Sequence, residues 1–145
     1  MLKLSPVPRR ILYVVLFELI AVGLITGYLV LFKFDGGNAF LVGVVSAVVA
    51  VIWNFIWNTI FEAWEKRQIS GERTLKRRVV HAVGFEGGLI LILVPIIAMI
   101  LSVSLITAFF IEAGVLVFFL FYAFLFAWAF DRFVSPPPAE AELAA

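Results

Sequence analysis

Two glutamates stand in the middle of long apolar segments, where a carboxylate can bind a proton or a cation. Glu18 follows Arg10 by eight residues, and Glu86 follows Arg78 by the same number. At 1.5 Å of helical rise per residue, each carboxylate lies about 12 Å from its basic neighbour, near the middle of a bilayer core of roughly 30 Å. Ionisable residues at this depth are functional by default, and a low dielectric favours their neutral form. Both glutamates are therefore candidates for proton-coupled binding.

The second apolar segment carries a polar stripe beside an aromatic stripe. Residues four apart share a helical face, which groups Asn54, Asn58 and Glu62 on one stripe and Trp53, Trp57 and Phe61 on the other. Asn58 precedes Lys66 by eight residues, the depth estimated for Glu18. A carboxylate, an amide and indole faces at one depth can hold an organic cation by charge pairing and cation–π contact. The predicted proton and substrate site consists of Glu18, Glu86, Asn58, Trp53 and Trp57.

Structural roles compete with this prediction at each position. The two glutamates could be neutral, hydrogen-bonded packing residues, Asn58 could hold helices together, and the tryptophans could form an interfacial belt. Secondary site candidates are Asn54, His81, Glu62, Asp131 and Tyr122. His81 could relay protons to Glu86, although an interfacial hydrogen bond is the simpler role.

The remaining acidic residues are expected near the membrane surfaces. Glu62 and Asp131 lie within about a turn of Lys66 and Arg132, so interfacial salt bridges are predicted for them. Glu112 is expected at the outer boundary of the membrane, in contact with solvent.

The composition limits the class of protein before any motif is considered. The chain is 64% hydrophobic and 14% charged, whereas a soluble domain is about 45–50% apolar and about 25% charged. The lack of cysteine rules out disulfides and zinc–thiolate sites, and the single histidine speaks against a metal centre. No nucleophile–base set indicates an enzyme. A net charge of +1 gives no reason to expect nucleic acid, and no cofactor other than the proton is predicted.

Four apolar segments are long enough to cross a bilayer as helices. Their predicted limits are Ile11 to Phe32, Ala39 to Ala63, Val79 to Thr107 and Gly114 to Phe130. A Gly- and Asn-rich turn separates the first two, and a charged linker separates the second and third. The third and fourth lack a clear turn signal, so we place this break near Glu112 to Gly114. The predicted fold is an all-α integral membrane protein.

The two halves of the chain repeat. The segment from Arg9 to Glu18 aligns without gaps on the segment from Arg77 to Glu86, with an offset of 68 residues. With one inserted residue, the second helices align as well, so that Asn58 corresponds to Ala127. The predicted units are a first transmembrane pair at 1–65, a basic linker with a second pair at 66–134, and a flexible tail at 135–145. Both pairs should have the same topology, which is the parallel-repeat arrangement of some transporters.

Basic residues indicate the orientation in the membrane. Ten of the eleven lysines and arginines fall on the side that carries both termini and the central linker, and Lys33 is the exception. By the positive-inside rule, both termini are predicted to be cytoplasmic.

Taken together, these motifs resemble those of the proteobacterial antimicrobial compound efflux (PACE) family, which is built from two bacterial transmembrane pair domains. The resemblance rests on Arg10 with Phe17–Glu18, on the stripe from Trp53 to Glu62, on Arg78, His81 and Phe85–Glu86 with Pro95, and on Phe126 to Asp131. It implies a protein of the bacterial inner membrane that exports cationic biocides such as chlorhexidine, and short-chain diamines, in exchange for protons. It also implies that Glu18 is the essential membrane carboxylate.

This sequence departs from the family pattern in ways that bear on substrate range. Tyr13 stands where the family commonly has His, and Ala127 stands where it commonly has Asn. Trp57 and Glu62 replace the usual Tyr and Asp. The expected partners are membrane lipids and cationic small molecules, and a homodimer is left open. The alternatives are a small multidrug-resistance-type exporter and a membrane partner or assembly protein that transports nothing.

Overall fold

Four long helices make up nearly all of the described chain. The computed structural model describes residues 2–3, 5–68 and 74–135. The helices are α1 (Pro6–Leu31), α2 (Gly36–Glu65), α3 (Leu75–Leu101) and α4 (Leu105–Phe133). By length and composition, each can cross a membrane. The predicted four-helix membrane fold is confirmed. Residues 69–73 of the predicted linker and 136–145 of the predicted tail lie outside the described residues.

Side-chain caps explain where three of the helices begin. An N-cap oxygen satisfies one of the backbone N–H groups that a first helical turn leaves without a partner. Asp35 accepts from the backbone N–H of Asn38 at the start of α2, at 3.0 Å. Thr74 and Ser104 cap α3 and α4 in the same way. The first turn of α1 contains proline, which needs no partner at its nitrogen.

The predicted break between the third and fourth helices was wrong. The chain turns at Ser102 to Ser104, and Ser104 lies ten residues before Gly114. Helix α3 therefore ends earlier, and α4 begins earlier, than predicted. Ser102 adopts the left-handed conformation, with φ of 54° and ψ of 45°. A left-handed residue at a helix end is usually glycine, and serine in this place gives no recognisable turn signal. The Gly- and Ala-containing segment that we took for the turn is helical instead.

Consecutive helices pack side by side around a shared apolar core. Small and aliphatic residues from all four helices form this core, including Leu29, Val42, Leu93, Ile97 and Ala108. The first and last helices, α1 and α4, contact each other less extensively than consecutive helices do. Their contact runs mainly through aromatic rings, and Phe17 meets both Tyr122 and Phe126. These rings close the bundle between its first and last helices.

The segments that flank α1 and α4 meet at one end of the bundle. Two short strands, β1 (Leu2–Lys3) and β2 (Val134–Ser135), pair in parallel. Arg9 forms an ion pair with Asp131. Asp131 is thus in a salt bridge, as predicted, but its partner is Arg9 and not Arg132, because neighbouring helical residues do not face each other. Arg132 lies over the ring of Trp128 instead, with the guanidinium carbon 5.8 Å from the ring centroid.

Candidate functional site

A cavity of about 340 Å³ lies between the four helices. Most of its lining is apolar, from small residues such as Ala21, Ala47 and Ala50 to the rings of Phe17, Phe85 and Phe119. Polar groups are few, as in most small-molecule sites, whose volumes run from about 300 to 1,000 Å³. The polar residues of the lining are three glutamates, one asparagine and one serine: Glu18, Glu86, Glu112, Asn54 and Ser46.

The three glutamates line the same cavity from three different helices. Glu18 belongs to α1, Glu86 to α3 and Glu112 to α4. Glu18 is half-buried and Glu86 is exposed, whereas Glu112 is only 2% exposed. Within the described part of the chain, none of the three carboxylates forms a hydrogen bond or an ion pair with another side chain. The cavity therefore holds three carboxyl groups without a side-chain partner, each of which can bind a proton or pair with a cation.

Glu112 does not lie where the sequence placed it. We expected this residue at the outer boundary of the membrane, in contact with solvent. The structure buries it seven residues inside α4, because that helix begins at Leu105 rather than Gly114. Sequence reasoning missed this cavity residue because it misplaced the preceding turn. With the turn at Ser102 to Ser104, the rule that identified Glu18 and Glu86 would have identified Glu112 as well.

Trp53 and Trp57 do not line this cavity. Their rings stack on each other, with centroids 5.8 Å apart, and cover two glycines of α3. The indole Nε1 of Trp57 donates a hydrogen bond of 3.0 Å to the carbonyl oxygen of His81. Trp53 makes the equivalent bond, of 2.9 Å, to Phe85. The structure thus places both rings in the α2–α3 interface, and the rings in the cavity are phenylalanines.

Asn58 also lies outside the cavity lining, but hydrogen bonds connect it to the cavity. Its Nδ2 donates to Oδ1 of Asn54 at 3.0 Å, and its Oδ1 lies 2.9 Å from Nε2 of His81. Because Oδ1 of an amide can only accept, His81 Nε2 must be the donor in this pair. The series of hydrogen bonds from His81 through Asn58 therefore ends at Asn54, which lines the cavity. Because Asn54 accepts with its Oδ1, its amide N–H groups remain available to a ligand or a carboxylate in the cavity.

The other secondary candidates lie away from the cavity lining. Tyr122 is buried in α4, and its hydroxyl donates a hydrogen bond of 2.9 Å to the carbonyl oxygen of Phe17, next to Glu18. Asp131 belongs to the ion pair at the chain ends. Glu62 is exposed, and no ion pair with Lys66 is formed in the described residues, so that predicted salt bridge is absent.

His81 borders a second, smaller cavity of about 120 Å³ at the end of the bundle that carries the chain ends. Its lining residues are Phe61, Glu65, Arg77, Arg78 and His81. The edge of the imidazole meets the ring of Phe61, with centroids 4.7 Å apart. His81 therefore stands between this small cavity and the amide chain that leads to the large one.

Comparison with known proteins identifies the family of the chain that forms this cavity. The family profile described as chlorhexidine efflux transporter matches residues 5–67 and again residues 73–136. The chain belongs to this family, also known as PACE. The two matches coincide with the tandem helix pairs, so the repeat is confirmed. No solved structure matches the chain.

Individual relatives of this family member carry a more specific description. A short-chain diamines transporter of Vibrio parahaemolyticus is 43% identical over 125 residues, which are 86% of this chain and 89% of the relative. Two proteins with the same description are also 43% identical to this chain. The one from Acinetobacter baylyi matches 61% of the chain, and the one from Acinetobacter baumannii matches 62%. Together with the four membrane-spanning helices, these matches identify a multi-pass membrane protein of a family of efflux transporters.

Proposed function

We propose that this protein exports organic cations, including short-chain diamines and cationic biocides, in exchange for protons, and that Glu18 is the exchange site. The observation that carries this proposal is the cavity, which combines three glutamates with no basic partner among the described residues. A cation that enters can pair with a carboxylate in a medium of low dielectric, where charge pairing is strong.

Proton coupling follows from competition for one carboxylate. Glu18 can hold either a proton or a cation, because protonation removes the charge that the cation needs. A cation that binds from one side of the membrane displaces the proton, and a proton that binds from the other side displaces the cation. Exchange then requires only that the cavity open to each side in turn.

The apolar part of the cavity suits the organic part of such substrates. Phe17, Phe85 and Phe119 line it, and an ammonium group over an aromatic face gains about 0.5–2 kcal/mol. Methylene chains and aromatic biocides can also bury apolar surface against the alanines and leucines of the lining. These contacts favour substrates that combine positive charge with hydrocarbon.

The proton gradient sets the direction of transport. From the positive-inside rule we assign both termini to the cytoplasm, and we assign the protein to the cytoplasmic membrane of a bacterium. The proton gradient across that membrane would then drive cations outward.

Reconstitution into proteoliposomes tests the proposal. With a pH-sensitive dye inside the vesicles, addition of a short-chain diamine should move protons in the opposite direction, and chlorhexidine should do the same. Glu18→Gln should abolish this exchange while the helical circular dichroism stays unchanged. Vesicles with a collapsed proton gradient serve as the control for uncoupled leakage. Diamine transport without proton movement, or full exchange by the folded variant, would contradict the proposal.

A further inference from the structure

The three glutamates of the cavity lie at two different depths. Glu18 is thirteen residues from the end of α1, or about 20 Å along its axis, and Glu86 is fifteen residues, or about 22 Å, from the end of α3. Glu112 is seven residues from the start of α4, at the same end of the bundle, or about 10 Å. Along the bundle axis, the backbone of Glu112 therefore lies about 9 Å away from the level of Glu18.

The surroundings of Glu112 indicate that its partner is a ligand. It is 2% exposed and lines the cavity. In the described ranges, however, its carboxylate has no hydrogen-bond donor and no cation. A buried acid that serves only to hold helices together would be expected to find a donor, because an unsatisfied buried polar group is costly. Glu86 lines the same cavity from α3 and adds a further carboxyl group to it.

We propose that Glu112 is the second anionic group of the substrate site and binds the far ammonium of a diamine whose near ammonium is bound at Glu18. This inference rests on the proposed function and specifies how the cavity selects dications. Two anionic groups separated along the cavity give a dication two charge pairs, whereas a monocation can form one at a time. Charge-assisted hydrogen bonds to both carboxylates would fix the ligand lengthwise between α1 and α4.

A short diamine is long enough to bridge the two levels. An extended five-carbon diamine holds its nitrogens roughly 7–8 Å apart, from ordinary bond lengths. With a hydrogen bond of about 2.8 Å at each end, it reaches oxygens up to about 13 Å apart, which exceeds the axial offset of about 9 Å and leaves length for the step across the cavity from α1 to α4. The methylene chain would then lie between the two charges, along the apolar part of the lining formed by residues such as Leu116 and Phe119.

The test compares 1,5-diaminopentane with 1-aminopentane, which has the same carbon chain and one charge fewer. Binding of both is measured by calorimetry on the purified wild type and on Glu112→Gln, a variant that keeps the side-chain shape. We expect the substitution to weaken diamine binding about ten- to hundredfold, as the loss of a charged hydrogen bond does, and to change monoamine binding about threefold or less. Equal losses for both ligands, or no loss for either, would overturn the assignment of Glu112.

A second variant keeps the test decisive if Glu112→Gln does not fold. Glu112→Asp retains the charge but draws it back by one methylene, so the preferred diamine should become longer by about one carbon in a chain-length series. An unchanged length preference would count against the proposal.

A different result would contradict the proposed function itself. If the wild type shows no cation–proton exchange in vesicles, the proposed function is wrong. If the wild type exchanges and both variants keep its diamine preference, only the role of Glu112 is refuted.

Discussion

The indole ring of Trp53 in α2 occupies the space directly beside Gly88 in α3. A Cβ atom at position 88 would lie 2.1 Å from Cζ2 of this ring. Trp57 makes the same contact with Gly84, one turn away, where a Cβ atom would also lie 2.1 Å from the ring. Each indole in addition bonds to a backbone carbonyl of α3. These paired contacts determine how closely α2 and α3 approach, and therefore where α3 holds Glu86.

The first prediction concerns this interface. Gly88→Ala should lower the free energy of unfolding by about 1–3 kcal/mol, because the new methyl group overlaps the Trp53 ring and forces the helices apart. Gly87→Ala is the matched control, since nothing lies within 4 Å of a Cβ atom there. Thermal unfolding in detergent, followed by circular dichroism, gives the comparison. Equal stability of the two variants would show that the contact can be relaxed without cost.

A second prediction distinguishes Glu18 from Glu86. Glu18→Gln should eliminate coupled exchange, whereas Glu86→Gln should retain substrate binding and change its pH dependence. Protons compete with the cation, so affinity in the wild type should fall as the pH is lowered. Glu86→Gln removes one of the titratable carboxyl groups that line the cavity, so the pH at which binding is half lost should change. The measurement is substrate affinity against pH for both variants and the double variant. Identical behaviour of the single variants would refute the asymmetry.

The third prediction tests the amide chain from His81 to the cavity. Asn58→Leu removes both hydrogen bonds and leaves the Asn54 amide free to rotate, so substrate affinity should fall roughly two- to tenfold, in keeping with about 0.5–1.5 kcal/mol for one hydrogen bond. Thr59→Val is the control, because that exposed residue bonds to the backbone of its own helix, at Phe55. Isothermal calorimetry with a diamine provides the readout. An Asn58→Leu variant that binds like the control would exclude a role for the chain in binding.

A fourth prediction concerns topology. Reporter fusions at the N-terminus and at the C-terminus should both report a cytoplasmic location, because ten of eleven basic residues lie on that side. The β1–β2 pairing and the Arg9–Asp131 ion pair already bring the two ends together at one end of the bundle. A periplasmic signal from either fusion would contradict the predicted topology.

Much of this architecture follows from short-range properties of the chain. Long apolar segments can satisfy their backbone groups in a membrane only as helices, and the 68-residue offset between Arg10 and Arg78 reveals the repeat. Depth could also be read from sequence, because helical rise converts the interval from Arg10 to Glu18 into a distance. These inferences need no knowledge of which helical face meets which neighbour.

The composition of the site, by contrast, depended on tertiary packing. The amphipathic pattern of α2 places Trp53, Trp57 and Asn58 on adjoining faces, but it cannot say that the indoles meet glycines of α3 while the amide of Asn58 meets His81. Nor could local sequence show that a left-handed Ser102 would end α3. That turn moves Glu112 from a solvated boundary into the cavity. A carboxylate becomes a binding group only through what surrounds it, and those surroundings come from three other helices.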